Sequence, residues 1–211
     1  MAILFRAQLR PSKLELIVPW LVEQPWAYPS EEEWRSVATY RFDDPAGEVG
    51  IETFILSAGQ GEELHVPVSY RGAPLEGADA ALIGTMDHSV LGKRWAYDAT
   101  GDPVYAQVLA STIVNGGTEA ELYVEKDGQR ELMAGTAQVR GSGSESREVP
   151  VPSELHVDTS GTVTTITTED AVLSVIRRVG DALPGDVAAS LTGVWESSPG
   201  PTPLAGYTPR D

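Results

Sequence analysis

The chain has 211 residues, 41% of them hydrophobic, no cysteine, and 15 Lys and Arg against 31 Asp and Glu, a formal charge of −16. Without cysteine, disulfide frameworks, thiolate zinc sites and thiol nucleophiles are excluded. The acidity is even, 8 basic to 16 acidic residues over 1–115 and 7 to 15 over 116–211, so no basic surface awaits a phosphate backbone and no nucleic-acid partner is expected.

Residues 1–10 alternate weakly at Ile3, Phe5, Ala7 and Leu9, as an edge strand or a leading arm would. Arg6, Arg10 and Lys13 interrupt the apolar run, which is too short for a secretory leader or a membrane span. No membrane partner is expected, and the expected location is the cytoplasm. Pro11-Ser12 starts a helical spacing at Leu14, Ile17, Val18 and Leu21, which Pro19 should kink or end. Trp20, Trp26 and Tyr28 follow among prolines. They read as a core plug over one end of a sheet or as a platform for stacking a sugar.

Glu33 to Asp43 reads as a strand, Asp43 to Gly47 as a turn, and Val49 to Ser57 as the next strand. Across the loop Gly59-Gln60-Gly61, Glu63 to Arg71 is its antiparallel partner, with Val66, Val68 and Tyr70 on one face and Pro67, Ser69 and Arg71 on the other. Gly72, Pro74 and Gly77 break that strand. An apolar run from Ala80 to Met86 and a strand-like LGKRWAYDA come next. Gly101-Asp102-Pro103 is a helix start, and Asp102 to Asn115 is the clearest helix, its stripe formed by Val104, Tyr105, Val108, Leu109, Thr112 and Ile113. Asn115-Gly116-Gly117 stops it and is the best-marked internal boundary.

Beyond that boundary, Glu119 to Glu125 and Arg130 to Arg140 form a hairpin around Asp127-Gly128. Gly141 to Ser146 has the composition of a flexible linker more than of a phosphate-cradling loop. Strands are expected at Val149 to Val157 and Thr162 to Thr167. Ala171 to Arg178 is a buried strand or short helix, Asp186 to Val194 a short helix, and the tail from Ser197 loop-like. The fold class is α+β: a twisted antiparallel sheet flanked by one prominent helix, then a smaller β-rich half.

Chemistry-bearing residues are sparse. His65, His88 and His156 fit no metal spacing, and Asp87 and His88 point to opposite faces of an extended strand. The pairs Asp43-Asp44, Glu62-Glu63 and Glu169-Asp170 are sequence neighbours at turns, unlike carboxylates facing across a cleft; the last pair also suits an N-cap. No residue is assigned to catalysis, to a cofactor or to a metal. Tyr70, Arg71, Lys93, Arg94 and Trp95 place cations and aromatics at strand ends. They form either a rim for a sugar or a partner's carboxylates, or ordinary packing with stems over the core.

The run VPVSYRGAPLEGADAALIGTM, continued by RWAYDATGDPVYAQVLAS, resembles the N-terminal cap domain of maltokinases, bacterial kinases that phosphorylate maltose in the trehalose–glycogen route. The matching residues are Pro19-Trp20, Pro67 to Leu75, Ala81 to Gly84 and Trp95 to Leu109, within residues 11–115. The resemblance implies a cap-like domain over 1–115 and a β-rich domain over 116–211 that is similar to a partial, degenerate kinase N-lobe. There, EDAVLSVIRRVGDALPGDVAASLTG follows the order of the lobe's strand, connector and helix. The nucleotide-binding Lys then falls on Ser174, and the helix over Asp186 to Thr192 holds no acid past Asp186.

Phosphoryl transfer needs that Lys, a carboxylate to hold it, an Asp for the acceptor hydroxyl, and magnesium ligands. Ser174 has no charge, no GxxxxGK[ST] loop exists, and the sequence ends at Asp211 where a C-lobe would begin. The expected function is a non-catalytic cap-like protein, a binding or regulatory component linked to maltose, trehalose or α-glucan metabolism. Its expected partner is a kinase or other enzyme of that metabolism, or a small sugar. Two alternatives stand beside it: a split sugar or aminosugar kinase completed in trans, and a small sugar-binding module using Trp20, Trp26 and Trp95.

Overall fold

The computed structural model describes residues 2–4, 8–59, 62–126, 129–133 and 135–210. In chain order the first half contains β1 (Ala2–Leu4), β2 (Leu9–Arg10), α1 (Lys13–Leu21), β3 (Trp34–Asp43), β4 (Gly50–Ala58), β5 (Glu63–Arg71), β6 (Leu82–His88), β7 (Gly92–Asp98) and α2 (Pro103–Val114). The second contains β8 (Leu122–Lys126), β9 (Gln129–Met133), β10 (Ala137–Gly141), β11 (His156–Ser160), β12 (Val163–Thr167), β13 (Ala171–Ile176), β14 (Ala189–Trp195) and β15 (Thr202–Pro209). Two six-stranded sheets result, ordered β2-β6-β7-β5-β4-β3 and β10-β14-β15-β13-β12-β11, and every pairing within them is antiparallel. A small third sheet joins β1, β8 and β9.

The first sheet is apolar on both faces, so both must be covered. Phe54, Leu56, Val66 and Val68 face Ile17 and Leu21 of α1 together with Trp26. The alternate residues Ile51 and Ile55, with Tyr40 and Phe42 of β3, face α2 and the second sheet. Ser12 caps α1 through a capping box with Glu15, and the helix runs two residues past Pro19 before ending. Asp102 caps α2, with Pro103 in its first turn.

α2 is buried on more sides than its stripe suggests, because Ala106, Ala110 and Val114 are covered as well. It lies between the sheets, where a helix must be apolar nearly all round. One continuous apolar cluster joins Tyr40 and Ile55, Tyr105 and Leu109, and Leu173, Leu191 and Leu204. The interior therefore runs across Gly116-Gly117 without a break.

The α+β class and the first-half elements from α1 onward are as the sequence indicates, Phe5, Arg6 and Ala7 of the leading arm lying outside the described residues; the second half differs in five places, the last of them Gly141 to Ser146. Asp186 to Val194 does not form a helix: β14 buries Leu191, Gly193 and Trp195 in strand alternation. The loop-like tail contains β15, which sits between β14 and β13, its Pro203 placed where the β14 register shifts. The strand expected over Val149 to Val157 begins only at His156, since Pro150 and Pro152 remove ladder donors. Arg130 to Arg140 is split between β9 and β10, which belong to different sheets; the turn Asp127-Gly128 lies outside the described residues, as do Gln60 and Gly61.

Gly141 to Ser146 is a fitted strap. The amides of Gly143 and Glu145 donate to the carbonyls of Ile113 and Val114 at 2.9 Å each, satisfying the last turn of α2. A Cβ at Gly143 would come within 2.1 Å of the Val114 carbonyl oxygen. Glycine is required here by close approach, and these amides are not free to cradle a phosphate.

Candidate functional site: a cleft between the two halves

A cleft of about 550 Å³ opens where the loop after α1 and the turn before β6 meet the approach to β11. On the first-half side it is lined by Trp20, Gln24, Trp26, Glu76 and Asp98, and opposite them by Pro152, Ser153 and Leu155 with Val157 and Thr159. Trp20 and Trp26 meet edge to face with centroids 5.9 Å apart. Trp26 is 2% exposed and plugs the wall, whereas Trp20 is only partly covered. Trp26 thus takes the core-plug role that the sequence offered.

Behind this wall a polar cluster ties the halves together. Arg177, 1% exposed, donates from Nη2 to Asp98 at 2.6 Å and to Thr100 at 2.9 Å, and from Nε to Thr164 at 2.8 Å. Its guanidinium lies 4.8 Å over the Trp26 ring. Arg178 donates from Nε to the Trp26 carbonyl at 2.8 Å. The Arg-Arg doublet just past the end of β13 thus grips the first half through both side chains. Sequence reasoning assigned no role to Arg177, Asp98 or Thr100. The available signal was a pair of cations closing an otherwise buried apolar run.

The seam continues through β5. His65 and Val179 donate from their amides to the carbonyls of Arg177 and Glu63 at 2.9 and 2.8 Å. Trp195 Nε1 and Ser197 donate to the Glu63 carboxylate at 2.9 and 2.5 Å. The His65 ring is fully buried, 2.8 Å from both the Ile176 carbonyl and the Tyr40 hydroxyl. Burial, reinforced by nearby Arg177, lowers its pKa to about 4 against the effect of the Ile176 bond, so the ring is neutral. A carbonyl only accepts; Nδ1 therefore donates to Ile176, and Nε2 accepts from Tyr40. Nearby, Asp102, 0% exposed, accepts from Ser69 at 2.7 Å and from both Nε and Nη2 of Arg71 at 2.7 and 2.6 Å.

The five strand-end residues separate. Register sets Arg71 opposite Trp95 and Tyr70 opposite Ala96, so Arg71, Lys93 and Trp95 share one face and Tyr70 and Arg94 the other. Lys93 sits 5.0 Å over the Trp95 ring, Arg94 donates to the Leu91 carbonyl at 3.2 Å, and Arg71 is held by Asp102. The Tyr70 hydroxyl is buried without a partner. None of the five lines the Trp20 cleft.

His88 accepts amide hydrogens from Val90 and Leu91 in the β6–β7 turn, and His156 is exposed on β11. Asp44 organises its turn by accepting from Ala46, Glu48 and Val49. Glu169 accepts from Ser153 and Glu154, and these hydrogen bonds hold its carboxyl at about 2. Among the described residues, no group of three or more His, Asp or Glu side chains is placed to hold a metal ion.

The sequence profile of the maltokinase N-terminal cap domain matches residues 20–102. This stretch is a maltokinase N-terminal cap-like domain. The match runs from the end of α1 to the N-cap of α2 and so spans the first sheet from β3 to β7. No curated protein matches the chain. The cap-like domain supplies the Trp20, Trp26, Glu76 and Asp98 wall of the cleft, and the opposite wall lies outside the match. No described helix is long and apolar enough to cross a membrane.

Proposed function

We propose that the chain is a non-catalytic cap-like protein that binds or regulates an enzyme of maltose, trehalose or α-glucan metabolism. The observation that carries this reading is the setting of Ser174, where the kinase resemblance would place a lysine. Ser174 is 8% exposed at the centre of β13, directly opposite Gly206. A Cβ on Gly206 would meet Val187 and Leu183, so the face shared by these residues is covered by the segment before β14. A triphosphate has no access to that face. Past Lys126 the sequence also contains no lysine to take the missing charge.

The test is a phosphotransfer assay on the purified chain with ATP, magnesium and either maltose or glucosamine. The expected result is no phosphorylated sugar. Formation of a sugar phosphate at a rate dependent on chain concentration would overturn the reading. Ser174→Lys separates the split-kinase alternative: it should bury an unpaired ammonium and destabilise the chain without creating nucleotide binding. Tight ATP binding by that variant would favour the alternative.

A further inference from the structure

We propose that the outer edge of β11 receives an extended, basic segment of a partner protein as an added strand. The two six-stranded sheets end on β2, β3, β10 and β11, and three of these edges are closed. β2 is two residues long and is followed by Pro11. Along β3, the Thr39 amide donates to the Thr136 hydroxyl at 2.7 Å, and the Ala120 amide donates to the Arg41 carbonyl at 2.8 Å. Along β10, Arg140 is bridged by Thr118, and the Val139 amide donates to the Glu119 carboxylate at 2.8 Å. β11 is different. All of its residues are exposed, it pairs with β12 without a register shift, and among the described residues no backbone hydrogen bond reaches it from any other element. It carries no lysine, proline or bulge, the devices that keep an edge from accepting another strand.

Charge selects the occupant. Residues 148–170 hold Glu148, Glu154, Asp158, Glu169 and Asp170 and no lysine or arginine, so a cation-bearing segment is drawn to this edge. A second copy of the chain is disfavoured. Full-length antiparallel pairing of two β11 strands sets Asp158 opposite its own counterpart, between two molecules of charge −16. Backbone pairing supplies attachment, and the neighbouring cleft supplies selectivity. Val157 and Thr159 line that cleft, so alternate side chains of an added strand fall on the face that looks towards Trp20 and Glu76. Trp20 is only partly covered and Glu76 is exposed, which gives an arginine a ring to stack on and a carboxylate to pair with. The next side chain of the added strand lies on the other face, beside Asp158.

The inference rests on the preceding reading in treating the chain as a protein-binding component. The probe is a short capped peptide in which valine and threonine flank two adjacent arginines, one for each face of the added strand. It is titrated into the full chain, followed by amide chemical shifts and by hydrogen exchange. Saturable binding with a Kd of about 1 mM or tighter is expected, with exchange slowed in β11 and unchanged in β3 and β10. Methylating the central backbone nitrogens of the peptide removes pairing donors and keeps the side chains; it should weaken binding at least about tenfold, as should glutamate in place of both arginines. Asp158→Lys changes an exposed side chain, places a guarding charge on the edge, and should weaken binding about tenfold. Absence of saturable binding up to about 5 mM peptide would overturn the proposal. So would equal affinity for the methylated or the glutamate peptide, unaltered affinity in Asp158→Lys, or protection that bypasses β11. A dimer of the free chain at about 0.1 mM that Asp158→Lys dissolves would give the edge to a second copy and overturn it as well. Phosphotransfer bears on the non-catalytic reading alone, so the two failures are distinct.

Discussion

Acidification should loosen the seam between the halves through one residue, His65. The ring is enclosed between Tyr40, Ile176 and Arg177 and its pKa is lowered to about 4, against an ordinary value near 6.5. In the unfolded chain the ring takes a proton as pH falls through 6.5; in the folded chain it stays neutral to about pH 4. Between those values the unfolded state binds one more proton, so stability falls with falling pH. The contribution is fully present above about pH 6.5 and is lost progressively towards pH 4. At about 1.4 kcal/mol per pH unit, the shift corresponds to about 3 kcal/mol. His65→Gln cannot titrate but retains an acceptor for the Tyr40 hydroxyl. It should be less stable than the parent at pH 7.5, by about 1–3 kcal/mol for the unpaired Ile176 carbonyl. The informative quantity is the change with pH, since carboxylates common to both proteins cancel in the comparison. Urea unfolding followed by circular dichroism at intervals from pH 4 to 7.5 should show the parent losing about 3 kcal/mol more than the variant. Parallel profiles for the two proteins would show that the ring titrates normally, and the buried, neutral assignment would fail.

Three further perturbations probe the remaining joints. Asp98→Ala strands the Arg177 guanidinium, 1% exposed, and should cost about 3 kcal/mol by urea unfolding; Asp98→Ala with Arg177→Met should recover part of that loss. Gly143→Ala drives a Cβ to within 2.1 Å of the Val114 carbonyl oxygen and should lower the thermal midpoint by an amount equivalent to at least about 2 kcal/mol, while Ser144→Ala in the same strap should be neutral. Arg71→Lys should fail to replace the two-pronged grip on Asp102 and cost about 1–3 kcal/mol, measured by the same unfolding; an unchanged midpoint would show that the N-cap of α2 does not depend on it.

Residues whose structure is set by near neighbours were legible. β5 occupies the segment Glu63 to Arg71 that its alternation marks out, and α2 is bounded by Asp102-Pro103 and Asn115-Gly116, whose capping chemistry is local. The segments that were misread take their form from distant partners. Ala189 to Trp195 is short enough to suit a helix or a strand, and pairing with β10 and β15 decides for the strand. Thr202 to Pro209 has the prolines and glycine of a loop; Pro203 is accommodated at a register shift, and Gly206 is needed beneath Val187 and Leu183. The GSGS run illustrates the same ambiguity, because a flexible linker and a strap pressed against a helix end both call for glycine.

Periodicity, turn signals and caps alone determined the antiparallel first sheet and the long helix that follows it, and the motif residues between Pro19 and Leu109 carried the cap-like resemblance. Only the tertiary structure decided that α2 is enclosed between two sheets, that Arg177 and Arg178 clasp the cap-like domain, and that Trp20 opens onto a cleft that the five strand-end residues do not line. The physical reason is range. Turns, caps and alternation are fixed within a few residues of sequence, whereas a buried guanidinium acquires its role from a carboxylate 79 positions away.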